Sequence, residues 1–392
     1  MSKYFLSFIF ALCIFSLHAE EATQKPNPFV ADIHYSAGKL FPMHPNFPKT
    51  SFTNVAEIFL GYQAYGNKPW HRLFNYPRIG LSFIYQDLGN RAIFGQQFSI
   101  VPTVYFSTAK KETAKVYAEL RYGLGVASFT NVYDSIENPR NSEVSSIFAW
   151  QYTLGANLNW NVSKYIGLQL GGVWYHASNA HTKLPNVGMN NFAIYAGILI
   201  YPFGKFSRNH DFDSVQIDRK WHLNFRFGAG WHEMGNAFGS KNKTKYPVYT
   251  ASIYTTRRLA KLITAKMGLI YRYYPMYKTF IEEHKVFDSQ LTLRSSAFIV
   301  FVGADLLLGH FAISLEAGVN VYKPAYSSFN DYYEKSKGFS YYTKRYLATR
   351  FGLNYYILDP YKHPRNNVFL GAYVSANEGQ AEFLEMNLGY VW

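Results

Sequence analysis

The sequence predicts an all-β protein, a transmembrane antiparallel β-barrel. Aromatic residues make up 19% of the 392 residues, whereas charged residues make up only 16%. Segments in which apolar and polar residues alternate recur along most of the chain. Beyond the N-terminus no uninterrupted apolar stretch approaches the roughly 18 residues that a helical span requires. Barrels of the Gram-negative outer membrane have apolar side chains facing the lipid and polar side chains facing inward, which produces this alternation. We therefore expect the protein to lie in the outer membrane of a Gram-negative bacterium.

Residues 1–19 have the features of a secretory signal peptide. Lys3 supplies a positive charge, residues 4–17 are almost wholly apolar, and Ala19 offers a small residue for cleavage. Such a segment is too short to be a transmembrane span. The single cysteine, Cys13, lies within it. We therefore expect an exported mature chain without a thiol or a disulfide framework.

The formal net charge is +14, which indicates an anionic partner. Export argues against nucleic acid and favours outer-membrane lipid, including lipopolysaccharide. We expect no cofactor, because no phosphate-binding glycine loop follows a strand and opens a helix. We expect no metal, because the pair His232 and Glu233 lacks a second histidine at helical spacing.

The alternation has a period of two in segments such as residues 78–86, 115–126 and 221–231. These apolar faces are too numerous and too aromatic to share one soluble core. We count about eight strands before residue 204 and about eight after residue 219. Their predicted starts are near residues 29, 54, 77, 94, 115, 146, 164, 190, 220, 246, 261, 292, 310, 344, 366 and 381.

The two halves resemble a duplication, because residues 114–134 are similar to residues 309–331. A polar, charged linker separates the halves. The predicted division is a signal peptide over residues 1–19, a first barrel over residues 20–204, a linker over residues 205–219, and a second, degenerate barrel over residues 220–392.

The presumed inner faces carry glycines and both signs of charge, which suit a narrow dry interior. The charged residues of these faces are Glu57, Arg78, Glu119 and Arg121 in the first half and Arg226, Lys266, Glu316 and Arg350 in the second. These features favour two tandem eight-stranded barrels. The alternative is one barrel of about sixteen strands with a water-filled lumen.

Strand parity predicts which connections share an end of the barrel. Short connections near residues 161–164, 258–260 and 309–310 fall at the periplasmic end, where such barrels keep their turns short. Longer ones, including residues 178–189, fall at the outer end. The final apolar face ends on Trp392, and a terminal aromatic of this kind resembles the assembly signal of outer-membrane barrels.

Residues 167–191, GLQLGGVWYHASNAHTKLPNVGMNN, combine a lipid-facing strand with polar residues at its outer end. His176 and Ser178 share the face of the strand's leucines and therefore point outward. Asn190 falls on the lipid face at the top of the next strand. Polar groups beside hydrocarbon are costly. A serine activated by a histidine that a third residue orients is a hydrolytic arrangement, and a histidine merely wetted at headgroup depth is the alternative.

The stretch HASNAHTKLPNVGMN resembles the signature of the outer-membrane lipid A 3-O-deacylases (the PagL family), which are eight-stranded barrels. The matching positions are His176, Ser178, Asn179, Pro185, Asn186 and Gly188. The resemblance extends over roughly residues 29–204 and implies that His176 and Ser178 are catalytic. The family has its catalytic glutamate where this chain has Asn190.

An asparagine at this position is similar to outer-membrane phospholipase A, which has an H-x-S-N-G start and a His-Ser-Asn triad. Here Ala180 follows Asn179 in place of that glycine. The likeness implies that Asn190 accepts a hydrogen bond from His176 without stabilising its charged form, so we expect a slower enzyme. By analogy, the Asn179 side chain is the expected oxyanion donor.

The sequence thus predicts an outer-membrane serine esterase that removes an ester-linked acyl chain from lipid A with His176, Ser178 and Asn190. A phospholipase A and a non-enzymatic barrel, such as a pore or an adhesin, are the alternatives. Lysines in residues 240–245, which we expect to form a loop, are candidates to meet the lipid A phosphates. Residues 373–379, YVSANEG, lack the histidine, so the second half is predicted to be a structural or lipid-gripping copy.

Overall fold

The chain forms two closed antiparallel barrels of eight strands each, in which successive strands are neighbours. The computed structural model describes residues 27–111, 113–205, 208, 216–377 and 380–392. The predicted signal peptide lies outside the described residues. The two-barrel arrangement is confirmed, and the alternative of one barrel of about sixteen strands is wrong.

The first barrel contains strands β1 to β8. They are β1 (Phe29–Leu40), β2 (Thr53–Gln63), β3 (Arg78–Asp87), β4 (Gln96–Ser107), β5 (Val116–Phe129), β6 (Phe148–Asn161), β7 (Ile166–Ser178) and β8 (Met189–Ile200). Strand β8 pairs with β1 and closes the barrel.

The second barrel contains strands β9 to β16. They are β9 (Trp221–Asn236), β10 (Gly239–Arg258), β11 (Ile263–Tyr273), β12 (Ser296–Leu308), β13 (Phe311–Tyr322), β14 (Leu347–Tyr356), β15 (Asn367–Asn377) and β16 (Gln380–Val391). Strand β16 pairs with β9 and closes the barrel.

The helices are short and lie in the connections. They are α1 (Pro69–Leu73), α2 (Pro275–His284), α3 (Leu291–Arg294), α4 (Ala325–Phe329) and α5 (Gly338–Tyr346), with a π-helical turn at Asn330–Glu334 and a 3-10 turn at Pro360–Lys362. Among the helices of the described residues, none is long and apolar enough to cross a membrane.

Fifteen of the sixteen strands begin within four residues of the expected position, and β10 does not. It starts at Gly239 rather than near residue 246, so the lysine-rich residues 240–245 lie in a strand and not in the expected loop. Strands β9 and β10 form a long hairpin whose pairing is irregular between Ser240 and Lys245. Polar, exposed residues can continue such a hairpin beyond the lipid, where alternation no longer marks a strand.

The barrel interiors hold ion pairs, as the inner charges predicted. In the first barrel, Arg78 lies 2.6 Å from both Asp32 and Glu119, and Arg121 lies 2.5 Å from Glu57. All of these side chains are buried. Buried charges are tolerated when they are paired in this way. The lumen of this eight-stranded barrel is therefore filled with paired polar side chains.

In the second barrel, one carboxylate gathers three cations. Glu316 lies 2.8 Å from Arg226 and 2.9 Å from both Lys266 and Arg350. Lys266 is also paired with Asp305 at 2.6 Å. Each barrel thus has its own charged core, in which the buried cations lie close to carboxylates.

The two barrels contact one another along their walls and at their ends. Phe351 on β14 packs against Tyr122 and Tyr152 of the first barrel, with ring centroids 6.4 and 6.1 Å away. At the end with short turns, Trp70 of α1 lies over the β12–β13 turn. A Cβ at Gly309 in that turn would approach the Trp70 ring nitrogen to 2.7 Å, so glycine is needed for this close approach.

Candidate active site

His176 and Ser178 occupy the outer end of β7 and point away from the barrel interior. Along β7 the residues of one parity, such as Gln169 and Tyr175, are buried, whereas Leu170 of the other parity is 60% exposed. His176 and Ser178 share the parity of Leu170 and are half-buried. The alternation of the strand therefore aims both side chains toward the lipid face.

Strand pairing brings Asn190 to His176. In the β7–β8 ladder these two residues are directly opposite one another, and opposite residues of an antiparallel pair point to the same side of the sheet. Asn190 Oδ1 lies 2.9 Å from His176 Nδ1. The Asn190 side chain is buried at this point, with 8% of its surface exposed.

Trp174 determines which way the Asn190 amide is turned. Its Nε1 lies 3.0 Å from Asn190 Oδ1, and an indole nitrogen can only donate a hydrogen bond. The amide oxygen therefore faces both rings, and His176 Nδ1 carries the hydrogen that it donates to this oxygen. The opposite nitrogen, His176 Nε2, is then the unprotonated one and can accept a proton.

Two N–H groups converge on the hydroxyl of Ser178. The backbone N–H of Ala180 donates to Ser178 Oγ at 3.1 Å, and Asn186 Nδ2 donates to it at 2.9 Å. The Asn186 Oδ1 atom accepts the backbone N–H of Asn179 at 3.1 Å, which fixes the orientation of that amide. No hydrogen bond joins Ser178 to His176 among the residues that the structure describes.

Gly188 leaves room beside this pair. A Cβ at Gly188 would come within 3.0 Å of His176 Cε1 and 3.7 Å of Ser178 Cβ, and the residue has a φ of +87°. Any side chain would therefore be strained by the backbone and would crowd the imidazole. The glycine of the P-N-x-G stretch thus keeps the space next to the two side chains open.

The Asn179 side chain, expected to be the oxyanion donor, has other partners. It is 3% exposed, and its Nδ2 donates to Ser145 Oγ, Ser146 Oγ and the carbonyl of Lys183 at 3.1, 2.9 and 2.7 Å. It ties the end of β7 to the β5–β6 connection. The contact of Asn186 with Ser178 was not predicted from the sequence, although the matched motif contains Asn186.

The corresponding strand of the second barrel has no such arrangement. Ser375 on β15 is fully buried and accepts a hydrogen bond from Arg272 Nη2 at 2.9 Å. The predicted copy, residues 373–379, lies only partly within the described residues, which resume at residue 380. Within the described part of the chain, no three histidine, aspartate or glutamate residues are placed to hold a metal ion.

Each half of the chain matches a different family model. Residues 56–198 match the family model for lipid A 3-O-deacylase (PagL), and residues 220–392 match the model for the acyloxyacyl hydrolase C-terminal domain. The barrels and these matches define an outer-membrane ester hydrolase of Gram-negative bacteria. The first barrel is thus similar to the lipid A 3-O-deacylases of the PagL family, and the second is similar to the C-terminal domain of acyloxyacyl hydrolases. The predicted resemblance and the predicted location are thereby confirmed.

Two solved structures each align with less than half of this chain. Neisserial surface protein A shares 12% identity, covers 44% of this chain and 96% of its own length, and gives a TM-score of 0.31. The outer-membrane enzyme PagL shares 16% identity, covers 42% of this chain and 97% of its own length, and gives a TM-score of 0.32. Among curated proteins, no sequence matches the chain.

Proposed function

We propose that the protein hydrolyses an ester-linked acyl chain of lipid A with Ser178 as nucleophile, His176 as general base and Asn190 as the residue that orients the imidazole. The observation that carries the proposal is the hydrogen bond from His176 Nδ1 to Asn190 Oδ1, which leaves Nε2 free to accept a proton. The family acts on lipid A, and the two side chains face the lipid in which that substrate resides.

The first step is acyl transfer to the enzyme. His176 Nε2 takes the hydroxyl proton as Ser178 Oγ attacks the acyl carbonyl carbon, and the carbonyl becomes a tetrahedral oxyanion. The intermediate collapses as the bond to the sugar oxygen breaks, and His176 gives its proton to that oxygen. Water activated by His176 then hydrolyses the acyl-serine ester, which releases a fatty acid and regenerates Ser178.

The oxyanion needs donors that are in place before the reaction. The Ala180 N–H and the Asn186 amide both reach the Ser178 hydroxyl, so an oxyanion formed next to Oγ lies within their range. We assign the oxyanion site to these two groups, and we assign to Asn179 the role of holding the start of the loop. Removing one such donor costs about 10²–10³ in kcat in a serine hydrolase.

Asn190, the third residue of the proposed catalytic set, determines how fast acyl release is expected to be. An orienting carboxylate stabilises the imidazolium that forms during attack, whereas the neutral amide of Asn190 holds only the ring's tautomer and direction. The rate should therefore be lower than with a carboxylate at this position. Trp174 supports the amide by donating to the same oxygen.

Aromatic rings beside the site suit an acyl chain. Trp174 stacks on Phe192 with centroids 6.1 Å apart, and Phe192 contacts Phe41 edge-on at 6.1 Å. Phe192 and Phe41 are more than half exposed on the outer face. The exposed lysines of residues 240–245 lie on the β9–β10 hairpin at the same end and are candidates for lipid A phosphates.

Mass spectrometry of lipid A from cells with and without the gene tests the proposal. Wild-type protein should remove one ester-linked acyl chain, and Ser178→Ala should abolish the removal. Ser375→Ala is the matched control, because that serine lies inside the second barrel, and it should leave the removal intact. Acyl removal that survives Ser178→Ala would refute the assignment.

The amide at position 190 favours one other substrate class. A His-Ser-Asn arrangement resembles outer-membrane phospholipase A, so the same geometry could act on a glycerophospholipid ester. Unchanged lipid A together with Ser178-dependent release of lysophospholipid would assign that substrate instead.

A further inference from the structure

A loop that carries the Asn186 donor lies between the two barrels. We call residues 179–188 the site loop. On one side it bonds to the β5–β6 connection of its own barrel, where the N–H groups of Val187 and Gly188 donate to the carbonyls of Ser142 and Glu143, both at 3.1 Å. The other side of the site loop faces the β9–β10 hairpin of the second barrel.

The hairpin makes three hydrogen bonds to the site loop. The Leu184 N–H donates to Glu233 Oε2 at 3.0 Å, and the Glu233 N–H donates to the carbonyl of His181 at 3.2 Å. The Asn186 N–H donates to the carbonyl of Ala237 at 2.7 Å. The site loop is therefore bonded along both edges, by one barrel on each side.

We infer that the second barrel positions the oxyanion donor of the first barrel, with Glu233 as the positioning residue. The inference rests on the proposed function, because it concerns how Asn186 is held against Ser178. Asn186 has three fixed points: its N–H on Ala237, its Oδ1 on Asn179 and its Nδ2 on Ser178. Only the first of these is supplied by the second barrel.

Glu233 is the side chain through which the second barrel acts on the loop. It is 5% exposed, and both its backbone and its carboxylate bind the site loop. A hydrogen bond from an N–H group to a carboxylate is about twice as strong as one between neutral groups. The Glu233 and Ala237 contacts bracket Pro185, so together they restrain the residues that lead into Asn186.

The hairpin is itself held by the first barrel. Phe238 packs edge-on against the His44 ring, with centroids 5.4 Å apart at 90°. His44 Nε2 lies 2.8 Å from Glu143 Oε1, on the connection that binds the other edge of the site loop. The contacts therefore form a closed chain from hairpin to site loop to β5–β6 connection and back.

Glu233→Ala tests the inference in the full-length protein. Loss of the acceptor for Leu184 should loosen the site loop and lower kcat for acyl release by about 10-fold. The KM should stay within about 2-fold of wild type, because the donor binds an oxyanion that exists only in the transition state. Hydrogen exchange of the site-loop amides should become faster in the same variant.

Two further variants separate positioning from general damage. Glu233→Gln keeps an oxygen acceptor for the Leu184 N–H, so it should retain kcat within about 3-fold of wild type and slow exchange. Glu283→Ala removes an exposed carboxylate from α2 of the same barrel and should behave as wild type. Wild-type kcat in Glu233→Ala, or equal losses in the alanine and glutamine variants, would overturn the inference.

Failure of the inference can be told from failure of the proposed function. If acyl release depends on Ser178 but not on Glu233, only the inference fails. If acyl release does not depend on Ser178, the proposed function fails. In that case hydrogen exchange still tests whether Glu233 positions the site loop. Faster site-loop exchange in Glu233→Ala but not in Glu233→Gln would support positioning, and unchanged exchange in Glu233→Ala would refute it.

Discussion

Strands β7 and β15 occupy the same place in the two barrels, yet only β7 presents reactive side chains to the lipid. In each strand a buried tyrosine near the outer end is followed four residues later by an asparagine, Asn179 directly after β7 and Asn377 at the end of β15. The outward positions between them hold His176 and Ser178 in β7. In β15 the same positions hold a valine and an alanine.

A shift of one residue accounts for the difference between the two serines. Ser375 of β15 aligns with an inward position, where it is buried and bonded to Arg272. Because successive residues of a strand face opposite sides, a serine moved by one position changes from substrate-facing to structural. Chemistry on a barrel wall therefore depends on which face of the strand a residue occupies as much as on the residue type.

The outer ends of the two barrels also differ, in the elements that cover them. The second barrel is closed by helices, and Tyr277, Phe280 and Phe329 are buried there in one aromatic cluster. The first barrel ends instead in connections that bond to the site loop. One barrel thus carries the proposed chemistry, and the other contributes packing and the hairpin that holds the site loop.

The largest expected effect comes from His176→Gln, compared with Val374→Gln at the matching position of β15. Glutamine cannot act as the general base, so kcat for acyl release should fall by about 10²–10⁴-fold, whereas the β15 variant should keep its activity. Steady-state kinetics of both purified variants measures this. Equal activity of the two variants would mean that the barrels do not differ in chemistry as proposed.

The two charged cores should also differ in how much stability is lost when one buried carboxylate is replaced. Glu316→Gln removes a carboxylate that three cations share, so it should lower the free energy of unfolding by about 5 kcal/mol, near the upper limit for breaking a buried pair. Glu57→Gln leaves Arg121 as the one cation without its carboxylate and should cost about 3 kcal/mol. Urea unfolding in detergent measures both. A larger loss in the free energy of unfolding for Glu57→Gln than for Glu316→Gln would contradict this prediction.

Substitutions of Asn190 should be able to lower or to raise kcat for acyl release. Asn190→Ala removes the acceptor for His176 and should lower kcat by about 10–100-fold. Asn190→Glu offers a carboxylate to the same two donors, His176 and Trp174, and should raise kcat by roughly 3–10-fold because it stabilises the imidazolium. Kinetics of the pair measures this, and wild-type kcat in Asn190→Ala would show that the amide does not orient His176.

Much of the fold followed from a single physical rule. Alternation with a period of two predicted the strands, and the same parity predicted that His176 and Ser178 point outward. The inner charges, Arg78 and Glu316 among them, predicted two narrow barrels because buried charges need partners close by. These features are local, or depend only on which face a residue occupies.

The donors at Ser178 could not be predicted in this way. They depend on the path of the site loop, and that path depends on Glu233 and Ala237, about fifty residues further along the chain and in another barrel. The early start of β10 at Gly239 was missed for a related reason, because polar residues in a hairpin outside the lipid carry no alternation signal. Tertiary contacts, rather than local preference, decide both features.

The smallest expected effect concerns pH and the site loop. Burial lowers the pKa of His181 to about 4; the nearby charge of Glu382 partly opposes this shift, and that of Lys344 adds to it. A free histidine has a pKa of about 6.5. Because the docked loop favours neutral His181, its docking should be complete above about pH 6.5 and should weaken as pH falls toward 4. Site-loop hydrogen exchange, corrected for intrinsic rates, should therefore speed up a few-fold over this range, and His181→Gln should flatten the response. An unchanged pH response in His181→Gln would exclude this histidine as its source.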